Sequence, residues 1–227
     1  MTHGINTTIV ELDPVVHEFA TKYFDLPDGH TAHLEDAIEF VEVKSQEKPE
    51  SYDYIVHDVF TGGAEPTALF TFEFLQGLKS LLKADGVVAI NYAGDINMPP
   101  PRIVLATIHA VFPTCRIYRY SLEDLSDPNN SFVNMVVFCI KSDARKLTFR
   151  QPVTSDWLDS LSRRDFVPPP PNLEIKFADV VGEDIGASLG LLRKGNEDII
   201  ESYHTEAAVR HWNIMRTVLP SAIWQTW

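Results

Sequence analysis

Cysteine, glycine and positive charge are all in short supply in this 227-residue chain, and long apolar runs are missing. The two cysteines, Cys115 and Cys139, have no C-x-x-C spacing and make no metal-ligand set. In a chain of this length they read as two thiols in a reducing compartment, and no disulfide framework is expected. No stretch approaches the ~20 apolar residues that cross a bilayer. The opening Met1-Thr2-His3-Gly4 lacks the basic start and apolar run of a secretory signal, so the expected location is the cytoplasm. Nineteen Lys and Arg stand against thirty-two Asp and Glu, for a net charge of −13. Such a surface repels a polyanion, which argues against nucleic acid as a partner, and it attracts a cationic substrate. The same charge also serves plain solubility.

What the chain does have is alternation. Over the first ~140 residues, strand signals and helix signals take turns. Thr7–Asp13 reads as a strand. Pro14–Phe24 reads as a helix carrying Val15, Phe19 and Phe24 among polar residues, with Pro14 in its first turn. His30–Asp36 is a short strand, "DAIEFVEV" a short helix and "KSQEKPES" a polar loop. Tyr52–Phe60 is an apolar run that suits a buried strand. "FTFEFLQGLKSLLKADG" is amphipathic, with Phe70, Phe74, Leu75, Leu78 and Leu82 on one side and Gly86 as its stop. "VVAINYAG" is another buried strand and Arg102–Phe112 a helix. "CRIYRYS" and "NMVVFCIK" are two strands joined by a stretch too short for a crossover helix, hence antiparallel.

This pattern predicts an α/β, Rossmann-like sheet, mostly parallel, with an antiparallel terminal hairpin. Residues 1–145 form the expected nucleoside-binding domain, and 146–227 a C-terminal appendage packed on it. The appendage includes a stiff "VPPPP" connector (Val167–Pro171), followed by a candidate strand "NLEIKFADV". It ends in a helix, "TEAAVRHWNIMRTVL", in a stretch carrying Trp212, Met215, Val218, Leu219, Trp224 and Trp227.

Ligands of open parallel sheets bind beyond the carboxyl ends of the strands. Three predicted strands here end in acids: Glu11 with Asp13, then Asp36, then Asp58. A carboxylate at the tip of the second strand of such a sheet accepts hydrogen bonds from ribose hydroxyls. Glu11 holds that place if one strand precedes it. Asp13, just before Pro14, suits a helix cap. Asp36 either caps the next helix or faces an adenine amino group. Asp58 precedes the glycine-bearing "TGGAEP" and suits a general base acting on an amine, or a hydrogen bond to that loop. His57 points to the opposite side and reads as structural. Asn91 and Tyr92 either line a pocket or simply end a strand.

One part is absent. A nucleoside site of this type needs a first strand and a glycine-rich turn upstream of the ribose acid, and only "MTHGIN" stands there. Without that strand the sheet has a central gap about one strand wide, ~4.8 Å. The expectation is that Thr7–Asp13 closes onto Tyr54–Phe60, or that dimerisation fills the gap.

"TTIVELDPVVHEFATKYFDL", "EDAIEFV", "YDYIVHDVF" and "FTFEFLQGLKSLLKADGVVAINYAGD" together resemble the spermidine/spermine synthase family of polyamine aminopropyltransferases. The match covers roughly Ile5 to Lys141, and the family shares its sheet with S-adenosylmethionine-dependent methyltransferases. The C-terminal stretch looks like the ending of fungal members. The resemblance implies that Glu11 binds ribose, that Asp36 lies near adenine, and that Asp58 takes the proton from the attacking amine. It also implies two departures. Asp36-Ala37 stands where the family often has Asp-Gly, and Thr61 stands where a second acid is usual. The implied co-substrate is decarboxylated S-adenosylmethionine, or S-adenosylmethionine itself, with no metal. The implied partner is a small cationic amine, and family members commonly dimerise. Larger fungal relatives often carry membrane spans upstream, so membrane association is expected only of a longer form. Three activities follow as expectations: aminopropyl transfer to a polyamine, methyl transfer, or an inactive relative that serves as an interaction module.

Overall fold

A computed structural model describes residues 4–59, 66–120, 132–167, 169–182, 190–218 and 220–224. The N-terminal half alternates as β1 (Thr8–Val10), α1 (Pro14–Tyr23), β2 (Thr31–His33), α2 (Ala37–Glu47) and β3 (Tyr52–His57). It continues with α3 (Phe72–Leu81), β4 (Leu82–Asp95), α4 (Pro99–Val111), β5 (Cys115–Arg119) and β6 (Phe132–Ile140). The C-terminal part adds α5 (Leu161–Phe166), β7 (Glu174–Ile175), α6 (Phe177–Val181), α7 (Asp198–Glu201), α8 (His204–Val218) and α9 (Ser221–Trp224).

The strands form two sheets. β1 pairs only with β2, in parallel. The larger sheet runs β3-β4-β6-β5-β7, parallel between β3 and β4 and antiparallel beyond. This is the expected α/β, Rossmann-like architecture with its antiparallel hairpin of β5 and β6. The expected closure does not occur: β1 is not paired with β3, so each keeps one edge free among the described residues. β1 spends its paired edge on β2, and α2 carries the chain from β2 to β3.

Helix boundaries follow local chemistry. Asp13 and Asp36 each accept a backbone hydrogen bond two residues on, from Val15 and Ile38, and so cap α1 and α2. Thr71 caps α3 in the same manner through Phe74. Pro14, Pro99 and Pro100 sit in first turns, where no N–H is needed. Two expected boundaries move. Lys44–Glu47 belongs to α2 rather than to a polar loop, supported by the Lys44–Glu47 ion pair. Gly86 does not stop α3, because Leu82 already turns extended and Gly86 lies inside β4. β4 bulges there against β3, its pairing jumping from Tyr52↔Leu82 to Tyr54↔Val87.

The core lies on one face of the larger sheet. Phe70, Phe74, Leu75, Leu78 and Leu82 are all buried, as their spacing predicts. They meet Val88, Ile90 and Tyr92 of β4 and Ile103, Leu105 and Ile108 of α4. Leu192 is fully buried against this layer; its N–H donates to the Thr107 hydroxyl and its carbonyl accepts from Phe72. Three apolar surfaces stay in water, contrary to expectation. α1 buries none of its residues, and Val15, Phe19 and Phe24 are 48%, 48% and 79% exposed. β3 is an edge strand rather than a buried one, with Tyr54 and Val56 68% and 74% exposed. Trp212 and Met215 of α8 are half-exposed. Leu219 and Trp227, and the side chains of Val218 and Trp224, lie outside the described residues.

The cysteines also depart from expectation. Cys115 and Cys139 are directly opposed on β5 and β6, with Cα atoms 4.1 Å apart, and their sulfurs are bonded. A 24-residue separation hides this pairing in the sequence, and only the strand register brings it out. Ellman titration in denaturant is expected to find no free thiol until a reductant is added. Cys115→Ser/Cys139→Ser is expected to lower unfolding stability by about 3 kcal/mol, read from urea midpoints.

The last helices are anchored by charge. Arg210 of α8 donates to Asp95, the buried last residue of β4, and to Glu206 one turn away. Asp95 is 5% exposed and Arg210 42%, so the pair sits between a surface bridge and a buried one. Arg210→Ala is expected to cost about 1–2 kcal/mol in urea denaturation, and Asp95→Asn in the same background to recover part of it.

Candidate functional site

The acids singled out in the sequence do stand at the carboxyl ends of the parallel strands. Glu11 follows β1, and its N–H donates to the carbonyl of His33 at the end of β2. Asp36 comes three residues after β2, at the start of α2. Asp58 follows β3 directly. Parallel pairing thus brings Glu11 beside the end of β2, on the way to Asp36, while Asp58 belongs to the other sheet, across the unpaired edges.

The three carboxylates share one property. Each uses an oxygen to hold nearby structure and keeps the other open among the described residues. Glu11 Oε1 accepts from the Asp13 N–H at 2.9 Å. Asp36 Oδ1 accepts from the Ile38 N–H at 2.8 Å. Asp58 Oδ1 accepts from the Asn91 side-chain amide at 2.8 Å. A carboxylate pinned at one oxygen is oriented, and its second oxygen is available to a ligand donor. Glu11 and Asp36 are half-buried, whereas Asp13 and Asp58 are exposed. Ala37 is the first residue of α2, half-buried behind Asp36. Asp13 acts as the cap of α1 and also positions Glu11.

Tyr92 lies in the core and not on an open surface. It is 3% exposed, and its ring meets Phe70 edge-on at 5.5 Å. Its neighbour Asn91 points to the other face of β4 and reaches Asp58, so the sequence pair splits into one core residue and one site residue. Thr61 and the glycines of "TGGAEP" lie outside the described residues. Asp95, which closes "NYAGD" at the end of β4, is buried and engaged by Arg210 rather than open to a ligand.

His57, beside Asp58, is structural. It is 6% exposed, with Nε2 3.0 Å from the Leu69 carbonyl and its ring against Phe70 and Phe74. Burial pushes its pKa down to about 4. The native state therefore binds its proton less readily than the unfolded chain, whose histidines titrate near 6.5. The stability contributed by neutral His57 is complete above pH 6.5 and is lost as the pH falls toward 4. Urea denaturation at pH 7 and pH 4.5 is expected to show a loss on the order of 2 kcal/mol, from 1.36 kcal/mol per unit. His57→Leu is expected to flatten that slope.

A groove of about 370 Å³ lies elsewhere, between α2 and α3, lined by Val41, Ser45, Thr71, Gln76 and Ser80 among others. Lys194 crosses its rim through Glu42 and Glu73. None of Glu11, Asp13, Asp36 or Asp58 lines it, so it is separate from the strand-end acids. Among the described residues no cluster of three or more His, Cys, Asp or Glu is arranged to hold a metal ion, and no helix is long and apolar enough to cross a membrane.

Residues 3–133 match the model of the spermine/spermidine synthase domain. An N-terminal histidine N-methyltransferase of Emericella nidulans is 47% identical over 231 residues, covering 100% of this chain and 41% of that protein. The eEF1A lysine and N-terminal methyltransferase of Mus musculus is 31% identical over 147 residues, covering 61% of this chain and 20% of that protein. A polyamine aminopropyltransferase of Vibrio vulnificus is 39% identical over 85 residues, covering 37% of this chain and 28% of that protein. The chain thus spans well under half the length of these relatives. Among solved structures, a probable spermidine synthase from Corynebacterium glutamicum superposes with a TM-score of 0.53 at 22% identity, covering 67% of this chain and 52% of that one. That likeness speaks for the fold alone. By its matched domain, which covers more than half of its length, the chain belongs to the spermine/spermidine synthase domain family.

Proposed function

We propose that this chain carries the carboxylate side of an S-adenosylmethionine-dependent N-methyltransferase site whose acceptor is an amino group at a protein N-terminus. The observation that supports this most is the 47% identity, over the whole chain, to an N-terminal histidine N-methyltransferase. The likeness to eEF1A lysine and N-terminal methyltransferase points the same way, since both names specify methyl transfer and an N-terminal acceptor. Thr61 also favours methyl transfer over aminopropyl transfer. A polyamine acceptor carries several ammonium groups, and the second acid that would meet one is replaced by a hydroxyl.

The open oxygen of Glu11 suits a ribose hydroxyl, and Asp36 with Ala37, at the start of α2, suits the adenine edge. Asp13 keeps Glu11 in place. S-adenosylmethionine supplies an electrophilic methyl carbon on a cationic sulfonium, and a chain of net charge −13 favours both that cation and an amine. Asp58, held by Asn91, accepts the proton that the amine must lose. Tyr92 stays in the core beneath β4, on the face opposite to Asn91. No metal enters this scheme.

Differential scanning fluorimetry with S-adenosylmethionine, decarboxylated S-adenosylmethionine and methylthioadenosine tests this reading. S-adenosylmethionine is expected to give the largest rise in Tm, worth about 2.7 kcal/mol at 100 times Kd. Glu11→Ala is expected to abolish most of it. Asp58→Asn is expected to keep the rise while lowering methyl transfer to an N-terminal peptide by about 10² or more. A preference for the decarboxylated form returns the assignment to aminopropyl transfer. No rise with any of the three makes the chain an interaction module.

A further inference from the structure

We infer that the groove between α2 and α3 binds a short basic stretch of a partner polypeptide, with an apolar side chain on its floor and Lys or Arg at its rim. This rests on the groove alone and not on the methyl-transfer reading. Under that reading the partner is the acceptor, gripped downstream of its N-terminus.

The two helices lie side by side and run the same way. Val41 meets Gly77, where a Cβ would collide with the Val41 side chain, and one turn on Ser80 Oγ donates to the Ser45 carbonyl at 3.2 Å. Above this close approach the groove holds about 370 Å³, within the ~300–1,000 Å³ typical of ligand clefts. Its α2 wall runs from Ile38 to Gln46, about 12 Å of helix at 1.5 Å per residue. Extended chain advances about 3.3 Å per residue, so roughly three or four residues fit along it. Val41 and Phe74, both buried, give the groove an apolar floor.

The rim decides the charge of the occupant. Three carboxylates, Glu42, Glu73 and Glu197, line the groove against one ammonium, Lys194. An anion is repelled there and a cation attracted. The chain itself shows how a basic segment is held. Arg193 lies 4.4 Å from the centre of the Phe72 ring and donates to Glu73 at 3.2 Å. Lys194 gives its backbone N–H to Glu73 and its ammonium to Glu42, each at 2.9 Å. Glu73 thus already binds a main-chain N–H, a group that a polypeptide has and a free polyamine lacks. Glu42 uses only Oε1 for Lys194, and Glu197 only Oε2 for the Gly195 N–H, so each keeps one oxygen open among the described residues. The Lys194–Glu42 pair is itself exposed, at 70% and 59%, so it contributes little and exchanges readily for a partner's basic side chain.

The test uses the 227-residue chain without nucleoside and a fluorescein-labelled peptide, Gly-Ser-Gly-Leu-Arg-Lys-Gly-Leu-Arg-Lys, followed by anisotropy at low salt. The peptide is expected to bind 1:1 and at least tenfold tighter than its twin with Gln for every Arg and Lys. Glu42→Gln/Glu197→Gln is expected to weaken binding at least tenfold. Glu18→Gln/Asp28→Asn, at two exposed acids outside the groove, is expected to leave it unchanged. Lys194→Ala, which frees the second oxygen of Glu42, is expected to tighten it severalfold. The inference is overturned if the Gln twin binds as well, or if Lys194→Ala leaves the affinity as it was. It is equally overturned if both acid pairs weaken binding alike, which marks attraction to net charge, or if spermidine at equal concentration displaces the peptide. No nucleoside enters this assay and no peptide enters the fluorimetry above, so the two readings fail separately.

Discussion

Everything in this molecule hangs on β4. It is the strand at which the larger sheet changes sense, parallel to β3 on one side and antiparallel to β6 on the other. Its inward residues Val88, Ile90 and Tyr92 are the floor on which α3 and α4 close. Its outward residue Asn91 holds Asp58. Its last residue, Asp95, receives the C-terminal helix α8. One strand therefore sets the core, orients a site carboxylate and fixes the far end of the chain.

The candidate site inherits its geometry from backbone economy. Each strand-end acid satisfies a donor that the turn or the neighbouring strand leaves open, which removes much of its rotamer freedom before any ligand arrives. That is why a helix cap and a candidate ligand acid coincide at Asp36, and why the Asp13 N–H is paired with the Glu11 carboxylate. A reading of the sequence that treats cap and ligand roles as alternatives sets up a choice that one carboxylate with two oxygens does not have to make.

Much of the architecture was legible in the residues. Phe74, Leu75 and Leu78 keep the helical period that predicts their burial on α3, while Phe70 and Leu82 are buried from just outside that helix. The acids at strand ends were legible for the same reason, since chain alternation locates the carboxyl ends. The failures involve partners that are distant in sequence. Cys115 meets Cys139 only through antiparallel register. The apolar faces of α1 and β3 looked like core because a hydrophobic pattern shows what a segment can bury and not whether anything covers it. Tyr92 and Asn91 differ by one residue and so face opposite sides of the sheet, a distinction that depends on which face carries helices.

The clasp between Asp95 and Arg210 has a consequence for synthesis. The two residues are 115 positions apart, so at ~5–20 residues per second the carboxylate leaves the ribosome several to some twenty seconds before its cation is made. Until then the Asp95 carboxylate must be solvated by water rather than by the guanidinium. The stretch that carries Arg210 thus acts as a timer: the carboxyl end of β4 reaches its final packing only once that stretch has been made.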